Sequence, residues 1–180
     1  MRDSGALTPP ETRARLQERA RALAKEPATA IPGQAVLELV AFRLASETYA
    51  VATGFVREVI ALTEYTPVPG VPPFVLGLVS VHGQILSLVD LKKLFHLPAQ
   101  GLGQLNQVLI LHNERMAFGI LADEILGTLA LGLEALQPAP LTVSGTGPHY
   151  LRGVSAERVM VLDAAALLND PSLVVHQAAE

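Results

Sequence analysis

From Glu38 onward, apolar and polar positions alternate in short runs separated by turn residues, the period of two expected of strands with one buried face. LVAFRL, ASE and TYAVA (39–52) predict a hairpin with a tight polar turn. VREVIAL (56–62) predicts a further strand, TPVPGVPP (66–73) a turn-rich connection, and FVLGLVSVHGQILSLVDL (74–91) a long apolar run with a turn at Gly83-Gln84. LKKLF after Asp90 predicts one helical turn, with Asp90 placed to accept hydrogen bonds from its first N–H groups. Ahead of the strands the period changes. Thr8-Pro9-Pro10-Glu11 has a capping threonine three residues before a glutamate and proline at the first helical position, so residues 8–26 predict a helix. Thr12, Leu16, Ala20, Leu23 and Ala24 fall on one face, and Arg13, Arg15, Arg19, Arg21 and Lys25 dominate the rest. This is either a solvated helix packed weakly on the body or a docking helix for an acidic partner or a membrane surface; the apolar stripe is too thin for insertion. PATAIPGQA then reads as a linker.

The strand pattern occurs twice. VLILHNERMAFGILADEILGTLAL (108–131) repeats the hairpin and strand of LVAFRLASETYAVATGFVREVIAL, with Tyr49-Ala50-Val51 matching Phe118-Gly119-Ile120 at an offset of 69. Phe74-Val75-Leu76-Gly77 matches Tyr150-Leu151-Arg152-Gly153 at an offset of 76, and LVDLKKLF is answered by VLDAAALL. The glycine-to-aspartate spacing falls from 13 to 10, as a shortened hairpin turn would produce. One internal duplication accounts for this. Five short strands per copy would leave exposed edges in a flat sheet, so each copy is expected to close into a small β-barrel. Barrels of this size are marginal alone, so the two should share an apolar interface, whose seam is a natural groove. The expected division is an N-terminal helix and linker (1–35), a double-barrel domain (36–169) and a tail (170–180).

Composition narrows the function. Half of the 180 residues are apolar and 17% charged, which predicts a folded core. The net charge of −4 offers no basic face for nucleic acid. The absence of cysteine excludes thiol catalysis, thiolate metal sites and disulfides. No apolar leader or membrane-length segment is legible, so a soluble cytoplasmic protein without direct membrane insertion is expected.

Ser80, His82 and Asp90 have the residue types of a hydrolytic triad, but Asp90 lies beyond a turn at a helix start and no nucleophile-elbow motif occurs. His82, His96, His112, His149 and His176 show no metal-ligand spacing. Asp123-Glu124 reads as a turn, and GLGQ (101–104) as linker rather than a phosphate loop. No enzyme signature, cofactor site or metal site follows.

TYAVATGFVREVIAL, TPVPGVPPFVLGLVSVHGQILSLVDLKKLF, MAFGILADEILG and YLRGVSAERVMVLD, taken together and in order, resemble the CheW family of chemotaxis coupling proteins over about residues 36–169. The resemblance implies two packed SH3-like five-stranded β-barrels, a mainly β fold here preceded by a helical extension. It also implies a scaffold without catalysis or cofactor. Its partners would be the regulatory domain of a CheA-type histidine kinase and the cytoplasmic tip of methyl-accepting chemoreceptors, with output to flagella, pili, surface motility or gene expression. The family's V-x-E element matches Val56-Arg57-Glu58, an apolar anchor beside an acid. The inter-barrel groove would accept an apolar helix face. Gly77 matches a glycine where close backbone approach is expected. Ser80-Val81-His82-Gly83 occupies the place of the family's N-L-R-G, so Ser80 stands for Asn and His82 for Arg. These residues are expected to form a partner-contact or hairpin-turn site, and the departure from the family's Asn and Arg implies a divergent receptor, weaker coupling, or a pH-sensitive contact, since histidine can gain a proton near neutrality. The rival from another class is a small-molecule-binding β-barrel module with the seam as its pocket; an enzyme is more distant.

Overall fold

A computed structural model describes residues 35–98, 106–139 and 147–173. The expected helix over 8–26 and the GLGQ segment lie outside the described residues. Ten strands run in order: β1 (Val36–Leu44), β2 (Glu47–Ala52), β3 (Val56–Ala61), β4 (Val75–Val81), β5 (Gln84–Val89), β6 (Gln107–His112), β7 (Ala117–Ala122), β8 (Glu124–Gly132), β9 (Leu151–Val154) and β10 (Val159–Leu162). Two short helices, α1 (Leu91–Leu94) and α2 (Ala164–Leu168), follow β5 and β10. Asp90 and Asp163 cap them, their carboxylates accepting the Lys92 and Ala166 N–H groups at 2.9 and 3.0 Å.

The strands form two five-stranded sheets, ordered β8-β1-β2-β10-β9 and β3-β6-β7-β5-β4. Replacing each strand by its counterpart in the other copy (β1 by β6, β2 by β7, β3 by β8, β4 by β9, β5 by β10) turns one order into the other. The duplication is therefore visible in the fold, but the copies do not close separately. Each keeps its first hairpin in one sheet and sends its last three strands to the other.

The chain passes between the sheets at two short connections. A 3-10 turn at Thr53–Phe55 redirects the chain between β2 and β3. Between β7 and β8 stands Asp123 alone. Its N–H donates to the Arg43 carbonyl at 3.0 Å, and its carboxylate accepts the Ala45 N–H at 2.7 Å and the Lys92 ammonium at 2.6 Å. The start of β8 is thus fixed beside β1, across the sheet boundary.

Each sheet curls shut through one isolated bridge, Thr66 to Leu78 and Gln137 to Val154. Two glycines make room for it. A Cβ on Gly77 would lie 2.1 Å from the Thr66 carbonyl oxygen, and one on Gly153 2.8 Å from that of Gln137. The close approach expected at Gly77 is observed.

The largest core cluster lies between the sheets. Phe42, Tyr49 and Val51 meet Leu109, Phe118 and Ile120, with Leu91, Phe95, Leu167 and Leu173 packed among them. Smaller clusters around Val79, Leu88 and Ile110, and around Leu39, Ala50 and Val161, fill the two sheets' interiors. Phe42, Tyr49 and Phe95 stack in succession, with ring centroids 6.3 and 5.7 Å apart, and Tyr150 follows tilted against Phe95 at 6.4 Å. The apolar interface is as expected, but side chains fill its middle, so it is not an open groove there. The fold also reaches further than residue 169. Leu173 is fully buried and the Tyr150 hydroxyl donates to Asp170, so residues 170–173 belong to the body.

Candidate partner-binding surface

The second hairpin is shorter than the first because its strands are short. β9 and β10 have four residues each against seven and six in β4 and β5, while the loop grows to Ser155–Arg158 from two residues. The shortening expected in the turn is thus in the strands, and β4–β5 extends further than its counterpart. Its turn is His82-Gly83, one residue earlier than expected, since Val81 pairs with Gln84. Both turn residues have positive φ, 48° and 80°, as a two-residue type I′ turn requires. Glycine adopts this freely, and histidine is among the side chains that tolerate it.

This tip reaches β3. His82 Nε2 lies 2.9 Å from Glu58 Oε2, and Arg57 donates to Gln84 Oε1 at 2.8 Å. Arg57 Nε is 3.8 Å from the other Glu58 oxygen, so a basic group flanks each side of the carboxylate. Two motifs separate in sequence therefore meet as one polar clasp. The pairing of β3 with β6 shifts register between Val56 and Glu58, while β3 keeps its alternation, with Arg57 exposed and Val56 and Glu58 half-buried. Glu58 is partly buried, whereas Arg57, Ser80, His82 and Gly83 are exposed. Pairs this exposed contribute about 0–1 kcal/mol each, so the clasp orients groups more than it stabilises the fold.

Val56 and Gly77 stand apart from the clasp. Val56 is half-buried against the inter-sheet core rather than presented as a free anchor. Gly77 is buried at the bridge that closes the sheet. The large apolar side chain exposed beside the clasp is Ile85, which is 60% exposed and pairs across the hairpin with Ser80. An open cleft of about 530 Å³ borders it, lined by Arg57, Gln84, Ile85, His112, Arg115 and Met116. Its far wall is the β6–β7 loop, where Asn113 Oδ1 accepts the Arg115 and Met116 N–H groups, each at 2.8 Å. Sequence reasoning missed Ile85; the available signal was its alternation onto the same strand face as the polar Ser80.

The triad arrangement is not assembled. Ser80 is exposed on β4, His82 pairs with Glu58, and the Asp90 carboxylate is buried as the cap of α1. Among the described residues no three His, Asp or Glu side chains are grouped to hold a metal ion, and no helix is long and apolar enough to cross a membrane.

The CheW-like domain family model matches residues 38–172. The chain belongs to this family. The chemotaxis protein CheW of Treponema pallidum is 29% identical over 143 residues, covering 76% of this chain and 84% of that protein. Protein FrzA of Myxococcus xanthus is 25% identical over 150 residues, covering 81% and 94%. Protein PilI of Pseudomonas aeruginosa is 28% identical over 88 residues, covering 49% of each. The crystal structure of the scaffolding protein TtCheW from Thermoanaerobacter tengcongensis superposes with a TM-score of 0.64 at 22% identity, covering 71% of this chain and 89% of that one, and shows the shared fold. This CheW-like chain is a chemosensory scaffold, serving chemotaxis or a related pathway.

Proposed function

We propose that this CheW-like protein is a non-enzymatic adaptor. It couples the cytoplasmic tip of methyl-accepting chemoreceptors to the regulatory domain of a CheA-type histidine kinase in the cytoplasm. One observation carries the proposal: Arg57-Glu58 on β3 and the His82-Gly83-Gln84 tip, far apart in sequence, converge on one clasp beside a cleft containing Ile85. A receptor helix could place an apolar residue against Ile85 and Met116 and a charged group against the clasp. The work of holding two proteins together requires no cofactor. The rival module would bind its ligand in the seam, whose middle is occupied by Phe42, Phe118 and Leu111, all fully buried.

Calorimetric titration against the kinase regulatory domain encoded in the same genome tests the proposal. Saturable one-to-one binding of roughly micromolar affinity is expected, at about −8 kcal/mol. No binding to that domain or to the receptor tip would remove the adaptor function while leaving the fold intact. Thermal stabilisation by a metabolite in their place would establish the rival.

A further inference from the structure

The β4–β5 tip and the β6–β7 loop leave a gap in their sheet. Val81 and Gln84 close the two-residue turn as a hydrogen-bonded pair, so the next pair, Ser80 and Ile85, is a non-hydrogen-bonded one. The N–H and C=O of Ile85 therefore turn away from β4, toward the side on which β7 runs. β7 pairs with β5 only from Ser87, opposite Phe118, so no strand stands beside Ile85 there. Nor does a turn or loop backbone group bond to it among the described residues. That side opens into the cleft, with Gln84, Ile85 and Leu86 on one wall and residues 113–117 on the other. Ile85 is thus open through its backbone as well as through its exposed side chain. Free strand groups are a template for an added extended segment.

Charge decides which segment fits. Arg57 donates to Gln84 at 2.8 Å, and its Nε lies 3.8 Å from Glu58, beyond hydrogen-bonding distance, so most of its donors remain open. Arg115, on the opposite wall, makes no ion pair among the described residues. The lining sets these two guanidinium groups against one carboxylate, Glu114, in a chain whose net charge is −4. A guanidinium fork matches a carboxylate better than any other side chain. Side chains of an extended segment alternate sides, so acids flanking an apolar residue can reach the arginines while the apolar residue faces elsewhere. A helix keeps its own backbone groups paired and leaves those of Ile85 unanswered.

We propose that this cleft takes an extended acidic segment of a partner protein, which adds to β5 through the backbone of Ile85, sets an apolar side chain beside it and sends carboxylates to Arg57 and Arg115. Taking the surface as a partner site rests on the function proposed above; what is added is the chemistry of that partner. A receptor helix lying against Ile85 would compete with the segment.

The probe is an acetylated, amidated hexapeptide of alternating glutamate and valine, titrated into the isotope-enriched full-length protein. A Kd on the order of 1 mM or tighter is expected. Shifts should gather at the Ile85, Arg115 and Ala117 amides, and exchange at the Ile85 amide should slow about tenfold near saturation. Arg115→Glu should weaken binding about tenfold, the scale of one charge-assisted contact. Ile85→Pro removes an N–H that faces away from the ladder, a position where proline is tolerated, and should abolish binding. Ile85→Ala keeps the N–H and should retain part of it. Equal binding of the lysine–valine hexapeptide, equal loss in Ile85→Ala and Ile85→Pro, or shifts gathered away from the cleft would each overturn the proposal. So would shifts at Ile85 that grow with protein concentration alone, which would give the gap to a second copy. Peptide binding beside failed kinase and receptor titrations would remove the adaptor function alone, and successful titrations without peptide binding would remove this inference alone.

Discussion

His82 and Glu58 lie 24 residues apart in sequence and 2.9 Å apart in space. Each belongs to a stretch nominated on its own, and the fold makes them one unit. A neutral imidazole offers the carboxylate a single hydrogen bond, whereas a guanidinium is permanently charged and carries a fork of donors. His82→Arg should therefore tighten the clasp, and affinity for the receptor tip or kinase domain should equal or exceed that of the wild type. Calorimetry on the two proteins decides, and weaker binding by His82→Arg would show that a closed clasp is not the form that meets a partner.

Charge reversal at the other half of the clasp gives a separate test. Glu58→Lys places a cation among Arg57, His82 and Gln84 and should open the tip. Binding is expected to weaken about tenfold or more, the scale of one lost charge-assisted contact. Thermal stability should change little, because the pairs are solvent-exposed. A variant that unfolds early would show that the clasp supports the fold rather than a partner.

Much of this architecture is legible in the chain because hairpins are local. The alternation around Ala45-Ser46, a turn at Gly83, placed one residue late, and the Asp90 cap each depend on residues a few positions apart. The repeat is legible for the same reason. The exchange of strands between copies is not. β2 runs parallel to β10 and β7 parallel to β5, and two similar copies offer the same pairing either within or between themselves. Asp123, which sequence reasoning treats as an ordinary turn acid, ties the second crossing to β1, while the first copy makes the same crossing at Thr53–Phe55 without a counterpart to it. Nor does LKKLF distinguish Lys92, whose side chain is only 7% exposed, from its exposed neighbour Lys93. Of the candidate site, motifs mark Arg57, Glu58 and His82 one by one, whereas their meeting, and the exposure of Ile85 beside them, depend on the long hairpin.

The Lys92–Asp123 pair should carry a large stability effect. Lys92→Met leaves a partly buried carboxylate without its counter-charge beside the Ala45 N–H. Breaking a buried pair from one side costs about 3–5 kcal/mol, and the residual exposure of Asp123 points to the lower end. Lys92→Met with Asp123→Asn should recover part of the loss, since the amide can still accept from Ala45. Urea denaturation of both variants measures the difference, and equal stability for wild type and Lys92→Met would contradict the role assigned to the pair.

Tyr150 and Asp170 provide a pH signature of the C-terminal boundary. Burial, then the hydrogen bond to Asp170, pushes the Tyr150 hydroxyl up to about 12. For Asp170, burial raises the carboxyl, but the hydrogen bonds from Tyr150 and Ser172 outweigh it and hold it below its ordinary value. A lowered carboxyl stabilises the fold above its unfolded-state value, and that contribution is lost as pH falls through the folded one. A raised tyrosine contributes fully below about pH 10, and its contribution fades as pH rises through about 12. Asp170→Asn should therefore flatten the loss of melting temperature below about pH 4, and Tyr150→Phe should reduce it. Melting curves from pH 2.5 to 7 would show whether the acid limb survives Asp170→Asn unchanged, in which case this contact does not anchor residues 170–173.

The two closure glycines allow a graded test of the barrel architecture. At Gly77 an added methyl meets the Thr66 carbonyl oxygen at 2.1 Å, against 2.8 Å from Gln137 at Gly153. Both obstacles are backbone, so the bridge must part rather than a side chain rotate. At Gly77 the bridge consists of two hydrogen bonds, Thr66 N–H to Leu78 and Leu78 N–H to Thr66, each 2.8 Å. Losing both removes about 1–3 kcal/mol, to which any remaining strain adds. Gly77→Ala should therefore destabilise more than Gly153→Ala and should raise hydrogen exchange at Leu78 before the rest of β4. If Gly153→Ala proves the costlier, the steric ranking of the two closures is wrong, and the shorter β9–β10 hairpin, with fewer ladder bonds to share the distortion, would be the more fragile half of the fold.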